Sequence, residues 1–173
     1  MKENSNGLID RAEILEKGEV KNKTLLDIGT GPLAIIAARD FNCQVTNVDF
    51  SEEALKGAQR EAEAAGLGGK INFGKEDATN LPYKDNAFDV VTSYGALHHN
   101  PPDRREKLIQ ETYRVAKEKV IIAELTEVGF KQFHSFSDNV PVDLDWLEKE
   151  LHSLGKVERY LGKMMNVYVC RKG

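Results

Sequence analysis

The chain has 173 residues, enough for one sizeable core and too few for a second full domain beside it. Hydrophobic residues at 40% and charged residues at 30% exclude a disordered or low-complexity chain. A net charge of −4 supplies no bulk attraction to nucleic acid or to anionic lipid.

The elements are predicted as follows, in chain order, within a single domain of residues 1–173. Residues 1–22 form a short helical cover ahead of a core at 23–173. This start lacks the apolar stretch of a secretion signal. TLLDI (24–28) reads as a buried strand, and residues 33–40 have helical spacing. QVTNVDF (44–50) is a second strand, rich in β-branched residues. In the helix at 52–65, Ala54, Leu55, Ala58, Ala62 and Ala65 make one small-residue face, Ser51 or Asp49 is the cap, and Gly66 ends it. INF (71–73) and FDVVTS (88–93) are the third and fourth strands. After Pro101–Pro102, residues 103–117 repeat Leu108, Ile109, Thr112, Tyr113 and Val115 at helical spacing, and KVIIAEL (119–125) is the fifth strand. An aromatic-rich stretch at 128–140 is expected to be irregular. A helix follows at 143–155, with Leu144, Leu147, Leu151 and Leu154 facing inward. VERYL (157–161) and MNVYVCR (165–171) are joined too closely for a crossover, so they pair antiparallel.

Alternating strands and helices build a parallel sheet with both faces covered. The expected fold is an α/β three-layer sandwich, with a mostly parallel sheet of about seven strands and an antiparallel C-terminal strand. No apolar window reaches the roughly 18 residues of a membrane span. Cys43 and Cys170 are isolated on different elements, which suits a reduced cytoplasmic setting.

The stretch LLDIGTGPLA (25–34) sits at the first strand-to-helix turn. It fits G-x-G-x-x-[GA] with Ala34 in third place, and fails G-x-G-x-G at Leu33. Acids stand at three successive strand ends: Asp27, Asp49 and Asp77. Ligands of open α/β sheets bind beyond those ends. Asp49, twenty residues after Gly29, is spaced to accept hydrogen bonds from ribose hydroxyls. Asp77 suits an exocyclic amine, while Gly29 and Gly31 allow close approach of a ligand to the backbone. A charged Asp27 repels a pyrophosphate and attracts an ammonium or sulfonium centre. The set therefore favours a nucleoside with a cationic amino-acid tail, such as S-adenosylmethionine, over a dinucleotide. FMN and simple nucleotides stay open on these residues alone, although no G-x-x-x-x-G-K-[ST] loop is present.

From about residue 23 to 171 the chain resembles the class I S-adenosylmethionine-dependent methyltransferases of the broad small-molecule group, which includes quinone-biosynthesis C-methyltransferases. The likeness is carried by LLDIGTG (25–31), VTNVDFS (45–51), EDATNLPYKDNAFDVV (76–91), SYGALHH (93–99) and ETYRVAKEKVIIAE (111–124). It implies a Rossmann-like fold, S-adenosyl-L-methionine as cofactor and S-adenosyl-L-homocysteine as its product. It implies further that Asp49, with Phe50 beside it, holds the ribose. Asp77 and Ala78 contact the adenine, and Asp27, Ile28, Gly29, Thr30 and Gly31, with Ser93, hold the methionyl part. Leu33 stands where the family has a third glycine, and Glu118–Lys119 where it commonly has Pro-Gly-Gly.

Of four histidines, His152 reads as surface, and His98 and His99 follow the fourth strand at the crevice mouth. His99 is the candidate acid or base, acting near the ordinary imidazole range. His134 lies among Phe130, Phe133 and Phe136, which either pack or wall a substrate site. No metal-ligand spacing and no G-x-S-x-G elbow occur. A small-molecule acceptor is favoured, with RNA or protein as alternatives. A cofactor-binding protein without catalysis and a nucleotide-dependent oxidoreductase are the competing readings.

Overall fold

A computed structural model describes residues 1–173. In chain order the elements are α1 (Arg11–Lys17), β1 (Thr24–Ile28), α2 (Pro32–Asp40), β2 (Gln44–Asp49), α3 (Glu52–Ala64), β3 (Ile71–Lys75) and β4 (Phe88–Tyr94). They continue as α4 (Pro102–Val115), β5 (Ala116–Leu125), α5 (Glu127–His134), α6 (Leu144–Leu154), β6 (Lys156–Leu161) and β7 (Met165–Arg171). The seven strands form one sheet in the order β3-β2-β1-β4-β5-β7-β6. β1 to β5 are parallel, and β7 runs antiparallel to both β5 and β6. The strand order turns back between β1 and β4, the place where sheets of this kind open a crevice beyond their carboxyl ends.

Both faces of the sheet are covered, and adjacent residues feed opposite cores. Leu25, Val90 and Ile121 pack with Ile14 of α1, Ala37 of α2 and Phe130 of α5. Their neighbours Leu26, Val91 and Ile122 pack with Leu108 of α4 and with Leu147 and Leu151 of α6. This is why the strands read as unbroken apolar runs. The N-terminal stretch joins the first core through Ile9, Ile14, Leu15 and Val20. It is tied further by Tyr94 Oη, which donates to the Ile9 carbonyl at 3.0 Å.

Three expectations about local structure change. The stretch at 128–140 is not wholly irregular, because Thr126 caps a helix over Glu127–His134 by accepting from Gly129 N. Gly129 is required there: a Cβ at this position would overlap the Met164 carbonyl oxygen, against which α5 is pressed. In α3 only Leu55 and Ala62 are buried, and Ala65 lies outside the helix and is exposed, so the inward stripe is narrower than its spacing suggests. The fifth strand begins at Ala116 directly after α4, leaving no separate turn at 118–119. Lys119 is instead buried within the strand, donating to the Gly18 carbonyl at 2.7 Å.

Candidate active site

A crevice of about 570 Å³ opens at the carboxyl ends of β1 to β4, within the range of small-molecule and cofactor sites. Each strand contributes a short run to its wall. β1 supplies Ile28 to Thr30, β2 supplies Val48 to Ser51, and β3 is followed by Glu76 to Ala78. Tyr94 to Ala96 follow along β4, and His99 to Pro101 and Arg104 close the far side.

The β1–α2 turn is built tightly. Gly29 adopts φ +90°, and a Cβ there would come within 3.1 Å of the Ala96 side chain, so the glycine both makes the turn and keeps the crevice narrow. Pro32 opens α2 with Gly31 before it, a comfortable first-turn position for a residue without an N–H. Asp49 braces this turn from β2: one carboxylate oxygen accepts from Thr30 N at 2.9 Å, the other from Ser51 N at 2.8 Å. Each oxygen keeps a lone pair for a donor in the crevice. Phe50 stands at the rim, three-quarters exposed. Asp77 Oδ1 accepts from the N–H and hydroxyl of Thr79, and these bonds hold its carboxyl below the usual range. Its Oδ2 meets Arg104 Nη2 at 2.6 Å.

Of the candidate residues, Ile28, Gly29, Thr30, Asp49, Phe50, Asp77, Ala78 and His99 line one crevice. Asp27, Gly31 and Ser93 do not line it. Asp27 corrects the charge argument made from the sequence. Its side chain turns into the sheet, where Thr92 Oγ1 lies 2.8 Å from Oδ1 and Asn47 Nδ2 lies 3.3 Å from Oδ2. Burial pushes its pKa up to about 8, outweighing the Thr92 hydrogen bond and the Arg11 charge, so at neutral pH it is mostly an uncharged acid. Asn47, invisible to sequence reasoning, links this floor to the turn by donating to the carbonyls of Gly29 and Asp27 at 2.9 and 3.1 Å. Ser93 is likewise buried.

The β5 side carries a second group of side chains. His98 and His99 sit in a 3-10 turn (Leu97–His99), with His98 buried and His99 on the crevice wall. His98 Nδ1 lies 2.7 Å from Oε1 of Glu124, near the end of β5. The His98 ring has His99 at 4.3 Å and His134 at 4.6 Å, centroid to centroid. Burial, then the neighbouring imidazoles, lowers the pKa of His99 and His134, so both are neutral bases near pH 7. His99 Nδ1 also lies 3.0 Å from the amide nitrogen of Asn139. Arg105, buried in α4, holds the adjacent loop by donating to the carbonyls of Asn100 and Pro141 at 3.0 Å. Glu124 and Arg105 were missed in the sequence. The rule that singled out Asp49, an acid at a parallel strand's carboxyl end, would also have found Glu124. Phe130 packs in the core, whereas Phe133 and Phe136 are exposed. His152 is exposed, with Nε2 at 3.7 Å from Glu148 Oε1.

The chain is similar to known proteins. The chain is 38% identical over 107 residues to norajmaline N-methyltransferase of Rauvolfia serpentina, covering 61% of this chain and 36% of that protein. It is 38% identical over 118 residues to demethylmenaquinone methyltransferase of Desulfitobacterium hafniense, covering 63% and 46% respectively. The matched stretch thus spans less than half the length of these curated relatives. In fold, the chain is similar to a SAM-dependent methyltransferase from Aquifex aeolicus, with TM-score 0.74, 22% identity, and 96% and 92% of the two chains covered. It is also similar to magnesium protoporphyrin IX methyltransferase from Synechocystis PCC 6803 with bound SAM, with TM-score 0.72, 17% identity, and 94% and 76% covered. Residues 26–119, which run from the glycine turn through the His98–His99 turn into β5, match the family described as a methyltransferase domain. By that match over more than half its length, the chain belongs to the methyltransferase domain family.

Proposed function

We propose that the protein is an S-adenosyl-L-methionine-dependent methyltransferase acting on a small molecule. The observation that carries this reading is the Asp49 carboxylate, braced by Thr30 N and Ser51 N beside the left-handed Gly29 turn, at the mouth of a cofactor-sized crevice. The donor set fits the cofactor. Asp49 is the acceptor for ribose hydroxyls, Phe50 shields them at the rim, and Asp77 with the Ala78 N–H takes the adenine edge. The backbone of Ile28 to Thr30 and of Tyr94 to Gly95 receives the amino-acid tail. Arg11, whose guanidinium lies 4.0 Å over the Tyr94 ring, is the cation available to its carboxylate. Bound S-adenosyl-L-methionine supplies an electrophilic methyl group and leaves as S-adenosyl-L-homocysteine. The protein aligns the acceptor and excludes water, which are the main demands of such a transfer.

The relatives named for a plant alkaloid and a quinone precursor support a small-molecule acceptor. No helix of the chain is long and apolar enough to cross a membrane. Both cysteines are free and buried, which supports a reducing cytoplasmic setting.

Calorimetric titration with S-adenosylhomocysteine, NAD and FMN tests the cofactor, with tightest binding expected for S-adenosylhomocysteine. Tighter binding of NAD would overturn the reading. Incubation with labelled S-adenosylmethionine and a cell extract split into small-molecule, RNA and protein fractions tests the acceptor. Label confined to RNA or protein would overturn the small-molecule part.

A further inference from the structure

Arg105, in the first turn of α4, is a buried cation whose hydrogen bonds all go to backbone carbonyls. Its Nε donates to Asn100 at 3.0 Å, Nη1 to Pro141 at 3.0 Å, and Nη2 to Val140 at 2.5 Å and to His98 at 3.4 Å. Buried charges are ordinarily paired with an opposite charge. A planar fork with five N–H groups can instead hold several carbonyls in one fixed arrangement, which a single ammonium cannot copy.

The choice of carbonyls is informative. His98 and Asn100 flank His99 in the 3-10 turn, and Val140 and Pro141 directly follow Asn139. One guanidinium therefore sets the two segments side by side where Asn139 Nδ2 lies 3.0 Å from His99 Nδ1, a contact across 40 residues of sequence. His99 lines the crevice. Residues 135–141 hold no helix or strand and bury no apolar side chain, and the core resumes only at Val142. Ser137 N donates to the His134 carbonyl and Asn139 N to Ser137 Oγ, bonds that shape this strap without attaching it to the turn. Attachment comes from Arg105 and from the Asn139–His99 contact. Bonds to a charged group are the stronger kind. Arg105 is thus the fixed point of the strap, and the exposed Asn139 contact is the one that sets the His99 ring.

We propose that Arg105 and Asn139 are positioning residues for the methyl acceptor. Arg105 clamps the strap to the His98–Asn100 turn, and Asn139 then holds the His99 ring in one orientation at the crevice wall, where it meets the acceptor. The inference rests on the methyltransferase reading. It assigns neither residue a contact with the cofactor, so their removal weakens use of the acceptor and spares the cofactor.

The test compares wild type, Arg105→Met, Arg105→Lys, Asn139→Ala and the double variant Arg105→Lys/Asn139→Ala, all as full chains. Label transfer from S-adenosylmethionine to graded dilutions of the small-molecule fraction of a cell extract gives an apparent KM and kcat for each. Calorimetry with S-adenosylhomocysteine, hydrogen exchange over residues 137–142 and the nitrogen-15 spectrum of His99 accompany it. Arg105→Met should raise the apparent KM roughly tenfold or more, with kcat within about threefold. Arg105→Lys should recover part of that loss, and Asn139→Ala should raise KM by about threefold to tenfold. The double variant should be within about twofold of Arg105→Lys, because both changes act through the same ring. S-adenosylhomocysteine affinity should stay within about twofold throughout. Exchange over 137–142 should quicken and the His99 signals should shift in Arg105→Lys. If Arg105→Met does not fold, Arg105→Lys and the exposed Asn139→Ala still decide. An unchanged KM in both of these, full additivity in the double variant, or an equal loss of S-adenosylhomocysteine affinity overturns the positioning role. Unchanged exchange and His99 signals in Arg105→Lys overturn the clamp. Firm S-adenosylhomocysteine binding by wild type with no label in the small-molecule fraction removes the small-molecule reading, a separate result, and exchange and the His99 spectrum then decide the clamp alone.

Discussion

The two sides of the crevice are built by different means. Along β1 to β3, the wall is backbone and carboxylate: the Gly29 turn, Asp49 braced by two N–H groups, and Asp77 held by Thr79. Along β4 it is the run Tyr94 to Ala96 and the His99 imidazole, which is in contact with the buried His98 and with His134, while Glu124 is bonded to His98. The first side is made from short local segments and can be rigid before any ligand arrives. The second depends on α5 and a loop far along the chain, held by Gly129 against Met164 and by Arg105. A backbone-and-carboxylate wall suits a ligand that is always the same. A neutral imidazole at the wall, as His99 is, suits a partner that brings a hydrogen-bond donor.

The largest effect expected concerns the floor of the first side. Asp27 has a folded-state pKa of about 8 against an ordinary 3.8, so the folded chain binds the extra proton between those values. Its contribution to stability is fully present below about pH 4 and is lost as pH rises towards 8, with a slope approaching about 1.4 kcal/mol per pH unit. Asp27→Asn cannot ionise. Urea unfolding near pH 5 and near pH 8 should therefore show the variant gaining on wild type as pH rises. A constant difference would mean that Asp27 is ionised in the fold and that the charge inferred from sequence was right.

A second prediction separates the two sides. Gly129→Ala forces a methyl group into the Met164 carbonyl and must shift α5; overpacking of this kind costs about 1–3 kcal/mol. Methyl transfer should fall sharply, because His134 and the loop move with the helix. S-adenosylhomocysteine affinity should change by less than about twofold. Equal loss of both would show that the halves are one cooperative unit.

What the sequence disclosed divides along the same line. The turn at 25–34, Asp49 and Asp77 are each read from a stretch of a few residues, because strand end, turn and helix start are contiguous in a βαβ unit. The α/β alternation and the antiparallel final strand follow from buried parallel strands and a connection too short to cross over. Direction of side chains is another matter. Asp27 sits at the correct strand end, yet its side chain enters the sheet to meet Thr92 and Asn47, which lie on neighbouring strands. Glu124 and His98 are 26 residues apart, and only the pairing of β4 with β5 brings them together. The helix at 127–134 was hidden because its phenylalanines divide between core and surface, with Phe130 buried and Phe133 exposed. Its cap, Thr126 to Gly129, was the available sign.

The third prediction addresses the anchor of the first side. Asp49→Ala removes the acceptor offered to the ribose and releases Thr30 N and Ser51 N. Loss of such a contact costs on the order of 1–3 kcal/mol, or roughly tenfold to a hundredfold in S-adenosylhomocysteine affinity. Calorimetry on the variant, with its melting temperature measured alongside, checks this. Unchanged affinity would place the ribose contact elsewhere.

The smallest effect is expected at the adenine end, and it sharpens the ranking within that wall. Asp77 divides its carboxylate between Thr79 and Arg104, so one oxygen is engaged by an ion pair before any ligand binds. Both partners of that pair are more than a third exposed, at 48% for Arg104 and 38% for Asp77, and pairs so open to water contribute about 0–1 kcal/mol. Asp77→Ala therefore frees Arg104 at little cost to the fold, while the Ala78 N–H still meets the ring. S-adenosylhomocysteine affinity should fall by only about threefold to tenfold, less than in Asp49→Ala. Arg104→Met should leave affinity unchanged or improve it by up to about twofold, because Oδ2 of Asp77 is then free for the ligand's amine. Calorimetry on both single variants and the double variant separates these contributions. A loss in Asp77→Ala as large as that in Asp49→Ala, or a loss in Arg104→Met, would move the anchor from the ribose end to the Asp77–Arg104 pair.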